Sequence, residues 1–117
     1  MDRLLESDLI SSSQDPYTEA RDTFIIDLLY STGIRRAELV ALKVADINLS
    51  RTEIRVLGKG NKVRSIPMTQ HLIEAYQKYM TFRNNLDHIE SDVLFLTEKG
   101  KKIESWIQVI LFLKLID

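Results

Sequence analysis

Two cationic side chains and one acid draw attention first. Arg35 follows Gly33-Ile34 at what reads as the start of a helix, and Glu38 lies three residues further, on nearly the same helical face. Lys59 sits between Gly58 and Gly60 in a short turn. An arginine that opens a helix combines a forked guanidinium with free backbone N–H groups and a positive dipole end. That combination suits a phosphodiester whose negative charge grows in a pentacoordinate transition state. The plainer reading pairs Arg35 with Glu38 on a helix surface, for a few tenths of a kcal/mol. Lys59 can donate a proton if its ammonium is desolvated, or it can simply solubilise the turn.

The elements that must position these residues can be read from caps, periodicity and turns. Leu4, Leu5, Leu9 and Ile10 are compatible with a short helix over 2–10, followed by the loop Ser-Ser-Ser-Gln. Asp15-Pro16 is a helix start, and Phe24, Ile25, Leu28 and Leu29 recur at helical spacing, so 16–31 forms an amphipathic helix that Gly33 ends. A second helix runs from Ile34 or Arg35 to about Lys43, with Leu39 and Leu42 inward. Two extended runs, 53–57 and 62–66, flank the hairpin turn 58–61, and Pro67 ends the second. Helical period returns from Thr69 to about Arg83, with Leu72, Ala75, Tyr76 and Tyr79 on one face. Val93-Leu94-Phe95-Leu96 reads as a short buried strand before a turn at 98–101. The expected class is α+β, mostly helical, with a small antiparallel hairpin or three-stranded sheet.

Composition narrows the function. The chain has 117 residues, enough for one modest core, with 44% hydrophobic residues and a net charge of −1. It has no cysteine, and His71 and His88 are 17 residues apart with no partner at ligand spacing, so no metal site is expected. The acidic N-terminus is unlike a signal peptide and no stretch reaches the length that spans a bilayer, so a soluble cytoplasmic protein with no membrane role is expected. The near-neutral total hides a gradient. Residues 1–33 carry seven acids and two bases, whereas residues 34–64 carry eight bases and three acids. A basic central block is what one face needs to meet phosphates, and it is equally compatible with an idle solvated surface.

The segment LLYSTGIRRAELVALKVADI (28–47), followed by VLGKGNKVRSIPM (56–68), resembles the tyrosine recombinases, the family of phage integrases and Xer-type resolvases. Thr32-Gly33-Ile34-Arg35 with Glu38-Leu39 matches one box of that family, Asp46-Ile47 a second, and Gly58-Lys59-Gly60 with Lys62, Arg64 and Pro67 a third. Arg35 and Lys59 are 24 positions apart, as in Xer-like relatives. The resemblance covers residues 1–102, which it identifies as the N-terminal part of a catalytic domain; the apolar segment 103–117 is atypical. It implies that Arg35 clamps a scissile phosphate, that Glu38, which by its spacing can orient that guanidinium or hold a neighbouring base, has a supporting role, and that Lys59 is the general acid for the departing 5′ oxygen. It also implies double-stranded DNA as partner, covalent chemistry with no cofactor, and no small-molecule substrate. Arg36, Lys62 and Arg64 read as DNA-backbone contacts or as plain surface charge.

The family's remaining catalytic residues find no match. Neither histidine opens a His-x-x-Arg box, Trp106 has no box around it, and Tyr17, Tyr30, Tyr76 and Tyr79 come too early to be the nucleophile. The sequence therefore reads as a recombinase piece inactive by itself. A non-catalytic DNA-binding or regulatory fragment is the alternative; a small interaction domain with no DNA role is disfavoured by three ordered boxes. Ten of the fourteen residues in Ile103–Ile116 are apolar, which fits a cover for the core, packing against a second copy, or a shifted reading frame after Lys102; core cover with self-association is the favoured reading.

Overall fold

The computed structural model describes residues 15–105 and Val109. Helix α1 spans Pro16–Thr32; the Asp15 carboxylate accepts from the Thr18 N–H at 2.7 Å, and Gly33 closes the helix at φ +69°. Helix α2, Arg36–Ala41, is shorter than the pattern suggests. It stops because Leu42 turns extended: the Leu42 carbonyl accepts from the Leu94 N–H at 2.8 Å, and the Val44 N–H donates to the Asp92 carbonyl at 2.9 Å. Pairing with residues 92–94 outcompetes another helical turn.

The sheet is antiparallel and three-stranded, in the order β1 (Ile47–Asn48), β2 (Glu53–Leu57), β3 (Val63–Pro67). Its third strand is thus the two-residue β1, and not the 93–96 segment. Ile54, Val56 and Ile66 face the core, while Arg55, Leu57, Val63 and Ser65 face outward. Pro67 pairs with Glu53 at the end of the edge strand, where its missing N–H costs no ladder bond. Helix α3, Gln70–Arg83, is capped by Thr69 and packs on α1. Phe24 sits between them, with ring centroids 5.5 Å from Phe95, 5.9 Å from Tyr76 and 6.1 Å from Tyr79.

Residues 93–96 are buried, as expected, but make only isolated bridges, Val93 to Lys43 and Leu96 to Lys102. Side chains from both long helices take the place of a neighbouring strand. Arg83 donates to the carbonyls of Ser91, Val93 and Leu94 at 3.0, 2.7 and 3.0 Å. Tyr79 donates to Leu94 at 2.8 Å and accepts from the Leu96 N–H at 3.2 Å, while Tyr17 and Arg21 donate to the Leu96 carbonyl at 2.7 and 3.2 Å. Buried main-chain groups must be paired, and here side-chain donors do the pairing.

Gly100 adopts φ +79°, and a Cβ there would run into the His88 carbonyl, whose loop is held by the Glu90 N–H donating to Gly100 O at 2.8 Å. Gly100→Ala is expected to cost at least ~2 kcal/mol, read as a lower urea midpoint, because strain and a backbone clash coincide. Ile103 and Val109 are buried in the core cluster. The expected helix over 2–10 and most of the apolar 106–117 segment lie outside the described residues.

Candidate active site

One carboxylate organises the region singled out by the sequence. Glu38 is buried, its side chain 7% exposed, and its two oxygens serve three groups. Oε1 accepts from the Arg35 backbone N–H at 3.0 Å and from Arg64 Nη2 at 3.0 Å, and Oε2 accepts from Arg64 Nη1 at 2.8 Å. The first of these bonds satisfies an orphan donor at the start of α2. The other two form a forked pair with β3. The Glu38 side chain is thus paired with Arg64 and meets Arg35 through the backbone.

The 58–62 turn passes close to the same carboxylate. The Gly58 N–H donates to the Lys62 carbonyl at 2.7 Å, closing the turn, and Gly60 and Asn61 both take left-handed conformations, at φ +73° and +60°. A Cβ on Gly58 would lie 3.3 Å from Glu38 Oε2 and 3.6 Å from Arg64 Nη1. Glycine at 58 thus permits a close approach, and the residue that follows it is Lys59. Arg35, Arg36, Lys59 and Lys62 are all exposed. Arg36 also lines an open groove of about 460 Å³ between α2 and residues 102–105. The Arg64 fork is engaged by Glu38.

Glu38 is held below the ordinary carboxylate range, chiefly by the Arg64 hydrogen bonds, against the opposing effect of burial and with help from the Arg35 N–H. A carboxyl lowered on folding contributes stability above its unfolded value and loses it as the pH falls through its folded one. The ion pair therefore weakens only in acid below the usual glutamate range.

The tyrosines separate by environment. Burial raises the phenols of Tyr17, Tyr76 and Tyr79, which opposes the phenolate a nucleophile would need, and Tyr17 and Tyr79 are committed to main-chain carbonyls. Tyr30, near the end of α1, is 79% exposed. Among the described residues no cluster of three or more histidines and carboxylates could hold a metal ion, and no helix is long and apolar enough to cross a membrane.

Sequence reasoning missed the buried Arg21 and Arg83. The signal was present: Arg21 falls at helical spacing among Tyr17, Phe24 and Leu28, and Arg83 continues the face of Leu72, Tyr76 and Tyr79. A charged residue on an apolar stripe needs a buried partner.

A family model described as the phage integrase family matches residues 5–107. The chain belongs to the phage integrase family. It is 42% identical over 95 residues to the tyrosine recombinase XerC of Shewanella sp. (strain ANA-3), covering 81% of this chain and 31% of that protein. It is 37% identical over 107 residues to the XerC of Roseiflexus castenholzii, covering 88% of this chain and 33% of the other. The chain thus spans about a third of the length of the curated phage-integrase relatives it matches. Among solved structures, the XerA recombinase superposes with a TM-score of 0.72 at 27% identity, covering 97% of this chain and 39% of XerA. The XerH recombinase in its post-cleavage complex with a palindromic difH substrate superposes at 0.70 and 24% identity, covering 97% and 34%, which establishes the shared fold. The α+β architecture is that of the catalytic domains of these phage-integrase relatives.

Proposed function

We propose that this chain supplies the arginine and lysine portion of a site-specific DNA recombinase, within a catalytic unit spanning residues 1–102, and does not cleave DNA by itself. The observation that carries this reading is the convergence of the Arg35 backbone, Arg64 and the Gly58 turn on the single carboxylate of Glu38. That arrangement brings the helix start bearing Arg35 and the turn bearing Lys59 together from opposite ends of a 24-residue stretch. In the proposed reaction a tyrosine hydroxyl releases its proton to solvent as its oxygen bonds to phosphorus, the bond from phosphorus to the 5′ oxygen breaks, and the leaving oxygen takes a proton. Arg35 stabilises the charge on the non-bridging oxygens and Lys59 delivers the proton. Neither can replace the nucleophile. The partner is double-stranded DNA, reached in the cytoplasm, with Arg36 and Lys62 on its phosphates and no small-molecule substrate or cofactor involved.

A suicide substrate with a nick that traps the covalent intermediate tests this. The expected result is DNA retention at low salt with no protein–DNA adduct on a denaturing gel. An adduct overturns the inactivity, and its loss in Tyr30→Phe would identify the exposed tyrosine as the nucleophile. Self-association through Ile103–Ile116 is a separate part of the proposal. It predicts earlier elution in size exclusion as concentration rises, and a constant monomer position removes it.

A further inference from the structure

We propose that Arg64 is a positioning residue: with Glu38 it latches the 58–62 turn onto the start of α2, so that its charge is used inside the protein and not on DNA. The inference rests on the recombinase reading for its purpose, though the latch itself is a property of the free chain. Strand register carries the first part of the argument. Arg64 pairs with Val56, on the face of the sheet that holds Ile54, Val56 and Ile66, and so points toward α2 and not outward with Arg55 and Ser65. Geometry carries the second part. Both terminal nitrogens meet both carboxylate oxygens, at 2.8 and 3.0 Å, the forked pairing that only a guanidinium provides.

The third part is what the pair supports. Gly58 lies so close to Glu38 and Arg64 that a Cβ would touch both, so the first residue of the turn lies beside the ion pair. The carboxylate is buried while the guanidinium is 43% exposed. Withdrawing Arg64 to meet a phosphate would leave Glu38 buried without its strongest partner and unseat the turn. Lys59 needs a fixed base more than the DNA needs a further cation.

The test uses the purified chain and two readouts. Trypsin cleavage after Lys59 and Lys62, followed by mass spectrometry under native conditions, reports opening of the turn. The salt dependence of duplex binding reports phosphate contacts. In Arg64→Ala, cleavage at those two sites is expected to rise about tenfold, with cleavage elsewhere unchanged. The slope of log affinity against log salt is expected to stay as in the wild type. Glu38→Gln should open the same sites, and the double variant should open them no further. Arg64→Lys should fail to restore protection, since one ammonium cannot fork, whereas a phosphate contact would be largely rescued by lysine. A slope shallower by about 0.9 in Arg64→Ala, cleavage rising evenly along the chain, or full rescue by lysine overturns the latch. If the wild type binds no duplex at low salt, the recombinase reading falls, and proteolysis still decides the latch.

Discussion

Replacing Arg83 with methionine is expected to destabilise the chain by about 3–5 kcal/mol, a large part of the roughly 5–15 kcal/mol that holds a domain of this size together. Arg83 is 4% exposed, and its guanidinium donates to three main-chain carbonyls in a segment that has no strand beside it. Methionine fills much of the volume and removes the cost of burying the charge, but it leaves the Ser91 and Val93 carbonyls without this donor. Each buried acceptor stranded in this way costs about 1–3 kcal/mol, and loss of packing adds to it. The Leu94 carbonyl keeps its Tyr79 hydroxyl, which limits how far the segment loosens. Urea denaturation followed by far-ultraviolet circular dichroism measures the loss. Arg51→Met, at a side chain 73% exposed, serves as the control and should stay within about 0.5 kcal/mol of wild type. A cost for Arg83→Met below about 1 kcal/mol would mean that the carbonyls have other partners.

The effect should travel to the candidate site. Residues 92–94 pair with residues 42–44, directly after α2, and that pairing ends the helix whose first turn presents Arg35 and Glu38. A buried arginine at the far end of α3 thus helps fix where α2 stops.

This relay also marks the limit of what the residues disclose alone. Helix α1 was legible because its signals are local: Asp15 and Pro16 at one end, Gly33 at the other. The hairpin was legible because Glu53–Leu57 alternates cleanly and the glycines punctuate the turn. Strand β1 was not, since two residues carry no periodicity. The orientation of Arg64 was hidden for a related reason. Val63 and Ile66 are both apolar but of opposite parity, so β3 has no readable face until its register with β2 is known. The 93–96 segment looked like a strand because it is extended and apolar. Its carbonyls, however, accept from side chains 10 to 79 positions away, which no local pattern encodes.

Duplex DNA binding is expected to weaken about a hundredfold between 50 and 200 mM monovalent salt. The proposal places about four cations on phosphates, Arg35, Arg36, Lys59 and Lys62, and each neutralised phosphate releases close to 0.9 of a counterion. Four contacts give a log–log slope near −3.6, which over a fourfold change in salt is a little over two decades. The net charge of −1 offers no general attraction, so the dependence must come from the basic block at 34–64. Lys59→Ala should therefore shift the slope by about +0.9, and Lys99→Ala, in the exposed turn outside that block, should leave it unchanged. Fluorescence anisotropy with a labelled duplex at five salt concentrations measures both. Equal shifts for the two lysines would show that the DNA samples the whole surface, and the assignment of a phosphate-facing side to α2 and the hairpin turn would fail.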